Sequence, residues 1–280
     1  MRKDAAVTEN RKASDLKYQS LKKILKKLGR VAVAFSGGVD STLLLKVAKD
    51  VLNHNVLAIT AHSETTPRHE QQAAICLAEE FAVPHIFLQT DEMNMPEFVD
   101  NPPDKCYICK KARFRSMLKL SGEKGYAHLL DGENQDDQDD YRPGSRAARE
   151  MGIRSPLRDA GLRKMEIRLL SRKLNLCTWN QASSACLASR IPYHTLITPE
   201  KLRQVDAGED FLRELGLSSQ VRVRHYGDTA RIEFDTKAIS KFAENAVRSR
   251  VVEHFKSLGF RFITLDLEGY RMGSLNADIE

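Results

Sequence analysis

The residues with most chemical potential come early in the chain. Ser36-Gly37-Gly38-Val39-Asp40-Ser41 places two glycines, two hydroxyls and a carboxylate within six positions. Glycine lets backbone N–H groups turn inward, and such a nest at the amino end of a helix holds phosphate. The segment is not a Walker loop, because no Lys-Ser or Lys-Thr pair follows the glycines at the required spacing. Asp40 has two compatible roles: a ligand for Mg²⁺, or a first-turn carboxylate stabilised by the helix dipole. The bland alternative is a tight strand-to-helix connection that binds nothing.

A second group of candidates is the cysteines: Cys76, Cys106, Cys109, Cys177 and Cys186. Their odd number, without an apolar export signal, points to reduced thiols and a cytoplasmic protein. Cys106 and Cys109 form a Cys-x-x-Cys, and Cys186 sits in Ser184-Ala185-Cys186-Leu187-Ala188-Ser189-Arg190. Three thiolates leave a fourth metal position open, more typical of a reactive centre than of a closed zinc staple. His225 is a candidate fourth ligand. A thioredoxin-like redox pair, with a helix after Cys109 activating Cys106, is another reading; a set of inert buried thiols is the third. Cys76, on the apolar side of a helix, and Cys177, near Trp179, are expected in the core.

Arg222 and Arg224 alternate with valines on one strand, so both project to one face, and guanidinium forks suit a phosphate. A solvated strand face accounts for the same pattern. Asn134, Asp136 and Asp137 follow an apolar run and are candidates for contacts to a nucleotide or Mg²⁺, or for a plain acidic turn. Lys105, Lys110 and Arg190 lie near the cysteines in sequence and would favour thiolates.

These groups need a scaffold. Val31 to Phe35, Val56 to Thr60, His85 to Gln89 and His128 to Asp131 read as strands. Helical patterns run from Glu70 to Phe81 and Lys110 to Leu120 between them, and further on from Lys164 to Leu174 and Pro199 to Leu215. The alternation predicts an α/β fold, a parallel sheet with helices on both faces. Thr90 to Lys105, broken by Pro96, Pro102 and Pro103, reads as a loop outside the carboxyl ends of the strands. From Gln220 two alternating runs flank a Gly-Asp turn, a hairpin. A helix over Lys237 to Leu258 and a strand over Phe262 to Leu267 complete a small α+β unit. The expected domains are 1–185 and 186–280, with the boundary between Asn180 and Pro199.

Bulk properties narrow the classes. With 280 residues, 41% of them hydrophobic, the chain can build ordinary cores, and its net charge of +6 suits phosphate-bearing ligands. That excess is too small to indicate nucleic-acid binding. No stretch has the apolar length of a membrane span. Leu21, Ile24, Leu25 and Leu28 between lysines predict an amphipathic leading helix, for which membrane or RNA binding is the minor reading.

The hexapeptide at Ser36 resembles the PP-loop of ATP pyrophosphatases, whose fold is adenine nucleotide alpha hydrolase-like. Over nearly the whole chain the sequence is similar to the LarE-type sulfur transferases. The resemblance rests on Asp131-Gly132-Glu133-Asn134-Gln135-Asp136-Asp137, Asp140-Tyr141-Arg142-Pro143-Gly144 and Ser155-Pro156-Leu157. It continues through Ala185 to Tyr193, Arg224-His225 and Arg231-Ile232-Glu233. One departure is His194, where the family commonly has glycine after Pro-Tyr.

The resemblance implies an enzyme that adenylates a carboxylate of a pyridinium dicarboxylate mononucleotide with ATP and then lets sulfur displace AMP, in nickel-pincer cofactor biosynthesis. Ser36, Gly37, Gly38, Asp40 and Ser41 would surround the phosphates and Mg²⁺, with Asn134 beside the nucleotide. Arg222 and Arg224 would take the substrate phosphate. In one family variant the cysteine at the position of Cys186 gives up its own sulfur. In the other, cysteines matching Cys106, Cys109 and Cys186 ligate a [4Fe-4S] cluster that carries an extra sulfide. The three cysteines here favour the cluster variant, fed by a separate sulfur donor, and the family assembles as a homohexamer. A tRNA-thiolating PP-loop enzyme and a non-catalytic nucleotide or iron-sulfur binding protein are the alternatives.

Overall fold

The computed structural model describes residues 2–138, 143–182, 185–218 and 220–271. Asp140, Tyr141, Arg142 and Ser184, which belong to the quoted motifs, lie outside the described residues. In chain order the elements are α1 (Arg2–Leu28), β1 (Val31–Ala34), α2 (Val39–Leu52), β2 (Val56–His62), α3 (Arg68–Glu80) and β3 (His85–Gln89). There follow α4 (Pro96–Val99), α5 (Lys105–Glu123), β4 (His128–Leu130), α6 (Pro143–Glu150), α7 (Pro156–Asp159), α8 (Lys164–Lys173) and α9 (Pro199–Glu214). The hairpin β5 (Val221–Tyr226) and β6 (Thr229–Phe234), α10 (Ile239–Phe242), α11 (Asn245–Ser257) and β7 (Phe262–Leu265) complete the chain. None of the described helices is long and apolar enough to cross a membrane.

The chain divides into two compact units. The first comprises 1–62, 70–90 and 106–183; the second comprises 63–69, 91–105 and 184–280. The unit built around the hairpin therefore recruits two short stretches from the sequence between β2 and α5.

In the first unit the strands pair in parallel in the order β3-β2-β1-β4. Alternation along β1 sends Val31 and Val33 into one core with Leu21, Leu25, Leu43, Leu44 and Ile167. Ala32 faces a second core with Phe114, Met117, Leu129 and Ala148. Helices thus cover both faces, as strands buried on both sides require. Burying each such Leu or Val favours the fold by about 1.5–3 kcal/mol before entropy is counted. α1 uses Leu21 and Leu25, fully buried, to close the first core, which makes it a structural helix of this unit.

In an open α/β sheet ligands bind beyond the carboxyl ends of the strands, where the strand order reverses. Here that point lies between β1 and β4, and the chain leaving β1 is Phe35-Ser36-Gly37-Gly38.

In the second unit β5 pairs antiparallel with β6, and β6 parallel with β7. Thr198 caps α9 by accepting a hydrogen bond from Lys201 N at 3.3 Å, and Pro199 suits the first helical position. α9 can lie close to β5 and α11 because Gly208 has no side chain; a Cβ there would stand 3.0 Å from the Phe255 ring. The single helix expected over Lys237 to Leu258 is two, α10 and α11. Glu244 adopts φ −59°, ψ 134° and interrupts the helical run.

Candidate functional site

The loop after β1 holds itself open through its side chains. Gly37 has φ +72°, a left-handed conformation natural to glycine, and a Cβ would meet the Ala74 backbone at 3.4 Å. Gly38 N donates to Ser36 Oγ at 3.3 Å, and the Ser36 and Ser41 hydroxyls lie 3.0 Å apart. Ser41 Oγ donates to Gly38 O at 3.2 Å. Gly38 is the N-cap of α2, so Asp40 falls in the first turn, where a carboxylate is favoured by the helix dipole. Ser36 is exposed while Gly37 is buried, so the loop presents one polar side outward.

The chain leaving β4 packs against this helix start. A Cβ on Gly132 would stand 3.0 Å from Ser41 N and 3.3 Å from Asp40 Cβ, an approach only glycine permits without a shift. Asn134, 3% exposed, donates from Nδ2 to Asp40 Oδ1 at 3.3 Å. Its neighbours are occupied in shaping the turn: Asp137 accepts from Asn134 N at 2.9 Å, and Asp136 accepts from Arg163 and from Lys164 N. Burial pushes the Asp131 carboxyl above its usual range, and burial with Asp131 nearby does the same to Glu133, which Arg158 partly offsets.

Lys164 Nζ forms an ion pair with Asp40 Oδ2. It was invisible to spacing, since 124 residues separate the two. One signal was available: a lysine opening a helix opposes the dipole and so asks for a compensating anion.

Cys106 and Cys109 both lie inside α5, which starts at Lys105 and not beyond Cys109, so Cys106 is in the first turn and Cys109 opens the second. Cys106 is exposed and Cys109 half-buried. Cys186, in the second unit, is half-buried and precedes a short turn of 3₁₀ helix over Leu187–Arg190. All three are at least partly reachable by solvent. Their soft donor set fits an iron-sulfur cluster held by thiolates. The expected core positions of Cys76 and Cys177 are corrected: both are exposed. α3 buries Ala74, Leu77 and Ala78, a face that leaves position 76 on the opposite side.

In the second unit Arg222 and Arg224 stand on one face of the hairpin, opposite Glu233 and Arg231 respectively. That face is buried, not solvated: the two arginines are 7% and 6% exposed. Arg224 donates from Nε and a terminal nitrogen to Glu233 Oε2 at 3.0 and 2.9 Å, and from the other nitrogen to Ser189 O at 2.8 Å. Arg222 lies 5.0 Å from the Tyr270 ring centre, and burial with Arg190 nearby holds it below its usual value.

Arg190 and Glu209 escaped the sequence reading as a pair. Arg190, 1% exposed, binds Glu209 through two N–H groups at 2.8 and 3.0 Å. Its remaining nitrogen donates to the carbonyls of Ala185 and Cys186 at 2.6 and 3.0 Å, fixing the backbone that carries the thiol. Burial alone would raise the Glu209 carboxyl, but Arg190, Arg222 and Arg213 more than reverse it and hold it low. The segment around Asn101 braces the same loop. Asn101 Nδ2 donates to the carbonyls of Ile191, Pro192 and Thr195, and His194 N donates to Asn101 O at 3.0 Å. His194 has φ +62°, which accounts for glycine being the family's common choice there. His225 is a core residue: Nε2 bonds Gln204 Oε1 at 2.9 Å and its ring packs on Phe260.

The description "PP-loop domain" fits residues 10–141. The chain is 41% identical over 261 residues, 93% of its own length and 94% of the relative's, to a pyridinium-3,5-bisthiocarboxylic acid mononucleotide synthase of Lactiplantibacillus plantarum. The chain belongs to the LarE-type PP-loop sulfur transferases. The chain is also similar to an uncharacterized Synechocystis protein, 42% identical over 93% of this chain and 97% of the relative. Another is a Methanocaldococcus jannaschii protein, 29% identical over 86% and 91%. Membership of the LarE type makes the chain an ATP-using, adenylating sulfur transferase, and the PP-loop domain that supports ATP binding includes the loop at Ser36.

Proposed function

We propose that the chain transfers sulfur to a pyridinium dicarboxylate mononucleotide on the route to a nickel-pincer cofactor. The observation that carries this reading is end-to-end similarity to the mononucleotide synthase, together with a phosphate nest on the first turn of α2. In the first step a substrate carboxylate oxygen attacks the α-phosphorus of ATP and diphosphate leaves. In the second a sulfur nucleophile attacks the acyl carbon and AMP leaves, giving a thiocarboxylate. A bare carboxylate resists attack; the adenylyl group supplies the leaving group.

The backbone N–H groups of Gly37 and Gly38, with the Ser36 and Ser41 hydroxyls, hold the departing diphosphate. Asp40 and the Ser41 hydroxyl are hard oxygen donors suited to Mg²⁺, and Asn134 orients Asp40. Lys164, paired with Asp40, brings a cation to the triphosphate as Asp40 turns to the metal. Arg222 and Arg224 receive the mononucleotide phosphate. Cys106, Cys109 and Cys186 hold a [4Fe-4S] cluster, which when bound supplies an iron position able to carry an extra sulfide. Sulfur reaches that centre from a separate donor, the enzyme works in the cytoplasm as a homo-oligomer, and RNA is not its substrate.

The test is anaerobic turnover with labelled ATP and the pyridinium dicarboxylate mononucleotide. The expected products are AMP, diphosphate and a thiocarboxylate; ADP with orthophosphate would overturn the proposal. Iron analysis separates the sulfur routes. About four irons per chain, lost in Cys106→Ser, support the cluster. An iron-free parent that loses the Cys186 sulfur after one turnover supports sacrifice of that residue.

A further inference from the structure

Within the second unit, outside the sulfur chemistry, His69, Asp206 and Asp210 converge. One imidazole nitrogen and one oxygen from each carboxylate lie within 4.8 Å of one another. The helix supplies two of the three: Asp206 and Asp210 are four residues apart on α9 and share a face. Like charges at that spacing repel, a small but definite cost to α9.

Burial sharpens the problem. Asp206 is 6% exposed, and its Oδ1 has no hydrogen-bond partner among the described residues. The other oxygen faces Arg68 Nε at 3.7 Å, beyond hydrogen-bond distance, and the Arg68 side chain is 78% exposed and able to swing away. A buried carboxylate oxygen without a donor is costly and calls for an ion or water to complete it. Arg213 bonds Asp210 Oδ1 at 2.8 Å, so among the described residues Asp206 has only the Arg68 backbone N–H and the more distant Arg68 guanidinium to offset its charge, both acting away from Oδ1. His69 Nδ1 stands 3.6 Å from the same Asp210 oxygen, with the imidazole at the solvent-facing rim.

We infer that His69, Asp206 and Asp210 form a site for a divalent first-row transition cation. Ligand atoms around such a cation at about 2.0–2.2 Å sit roughly 3–3.5 Å apart, so side-chain rotation suffices to close the group. One nitrogen with two carboxylate oxygens selects Mn²⁺, Fe²⁺, Co²⁺ or Zn²⁺ over Mg²⁺ and Ca²⁺, which take oxygen. Three protein ligands leave positions for water or a further anion. The bound ion neutralises Asp206 and ties the Ser63–His69 stretch to α9, two parts of one unit that sequence keeps far apart.

Mn²⁺ is the probe of choice, because the five thiols of the chain would compete for Zn²⁺. The full chain, free of nucleotide, is titrated with Mn²⁺ and free ion read by electron paramagnetic resonance, alongside thermal unfolding. One Mn²⁺ per chain and a rise in melting temperature are expected. Asp206→Asn and His69→Gln should each weaken that binding by about tenfold or more and abolish the rise. Should Asp206→Asn fail to fold, His69→Gln at the exposed rim decides alone. No binding by the parent up to about 1 mM, or equal binding by parent and His69→Gln, overturns the site.

Discussion

The first unit gathers the groups proposed to bind phosphate from six consecutive residues, most of them backbone amides, with small hydroxyls bonded to one another across the loop. The second unit draws Arg190, Arg222 and Arg224 from two separate elements and pairs Arg190 with Glu209 and Arg224 with Glu233, both glutamates fully buried. Peptide dipoles are part of any helix start, so a nest of them is bound to cost little. Buried guanidinium groups are different: each one must be matched, or the unit does not fold. Function and stability are therefore separable in the first region and fused in the second.

Removing the central anion of the second region should give the largest effect. Glu209→Ala leaves Arg190 buried without its partner and strips Val223 N and Arg213 of an acceptor. A loss of about 3–5 kcal/mol in denaturant unfolding is expected, and a loss under about 1 kcal/mol would break the comparison. In the first region Asp40→Asn should lower the rate of ATP-diphosphate exchange about 100-fold. Its unfolding free energy should move by less than about 1 kcal/mol, since the Lys164 pair is partly solvated.

Asp206 sharpens the contrast through pH. Burial, with Asp210 alongside, raises its carboxyl from 3.8 to about 6. A raised folded-state value means the protonated form favours folding, so that contribution is complete below about pH 4 and lost as pH rises through about 6. Holding the group charged costs on the order of 3 kcal/mol at neutral pH. In chelator-treated protein, Asp206→Asn should stabilise by that order near neutrality, and the gain should vanish near pH 4. A gain independent of pH would remove burial of charge as its cause. The smallest effect is expected at Gly132→Ala, about 1–2 kcal/mol, read as weaker ATP binding with the second unit's unfolding unchanged.

The same contrast explains what could be read from sequence. The nest was legible because its parts are contiguous and its glycines carry meaning by themselves; β1 to β4 were legible because alternating apolar runs leave few other folds. Arg222 and Arg224 were found as a pair, but period-two spacing cannot tell a solvated face from a buried one, and Glu233 directly across the ladder decides it. Lys164 and Glu209 act over long sequence separations, so a local pattern can at most suggest that Lys164 needs an anion and cannot name Asp40. Cys76 was misjudged because its immediate neighbours are apolar, while α3 turns a narrower stripe inward. The break at Glu244 carries neither Gly nor Pro to announce it.

The interleaving of the two units has a consequence for synthesis. Stretch 91–105 must wait for roughly 80 further residues, and stretch 63–69 for longer still, before the rest of their unit begins to appear at Ser184. At ribosomal speed that is a delay of about 4–16 s. For that interval Asn101, destined for three carbonyls of Ile191, Pro192 and Thr195, belongs to a segment without its partners. Neither unit can be cut out as one uninterrupted gene fragment, and a chain stalled after the nucleotide-binding strands would carry the beginnings of a unit it has no means to finish.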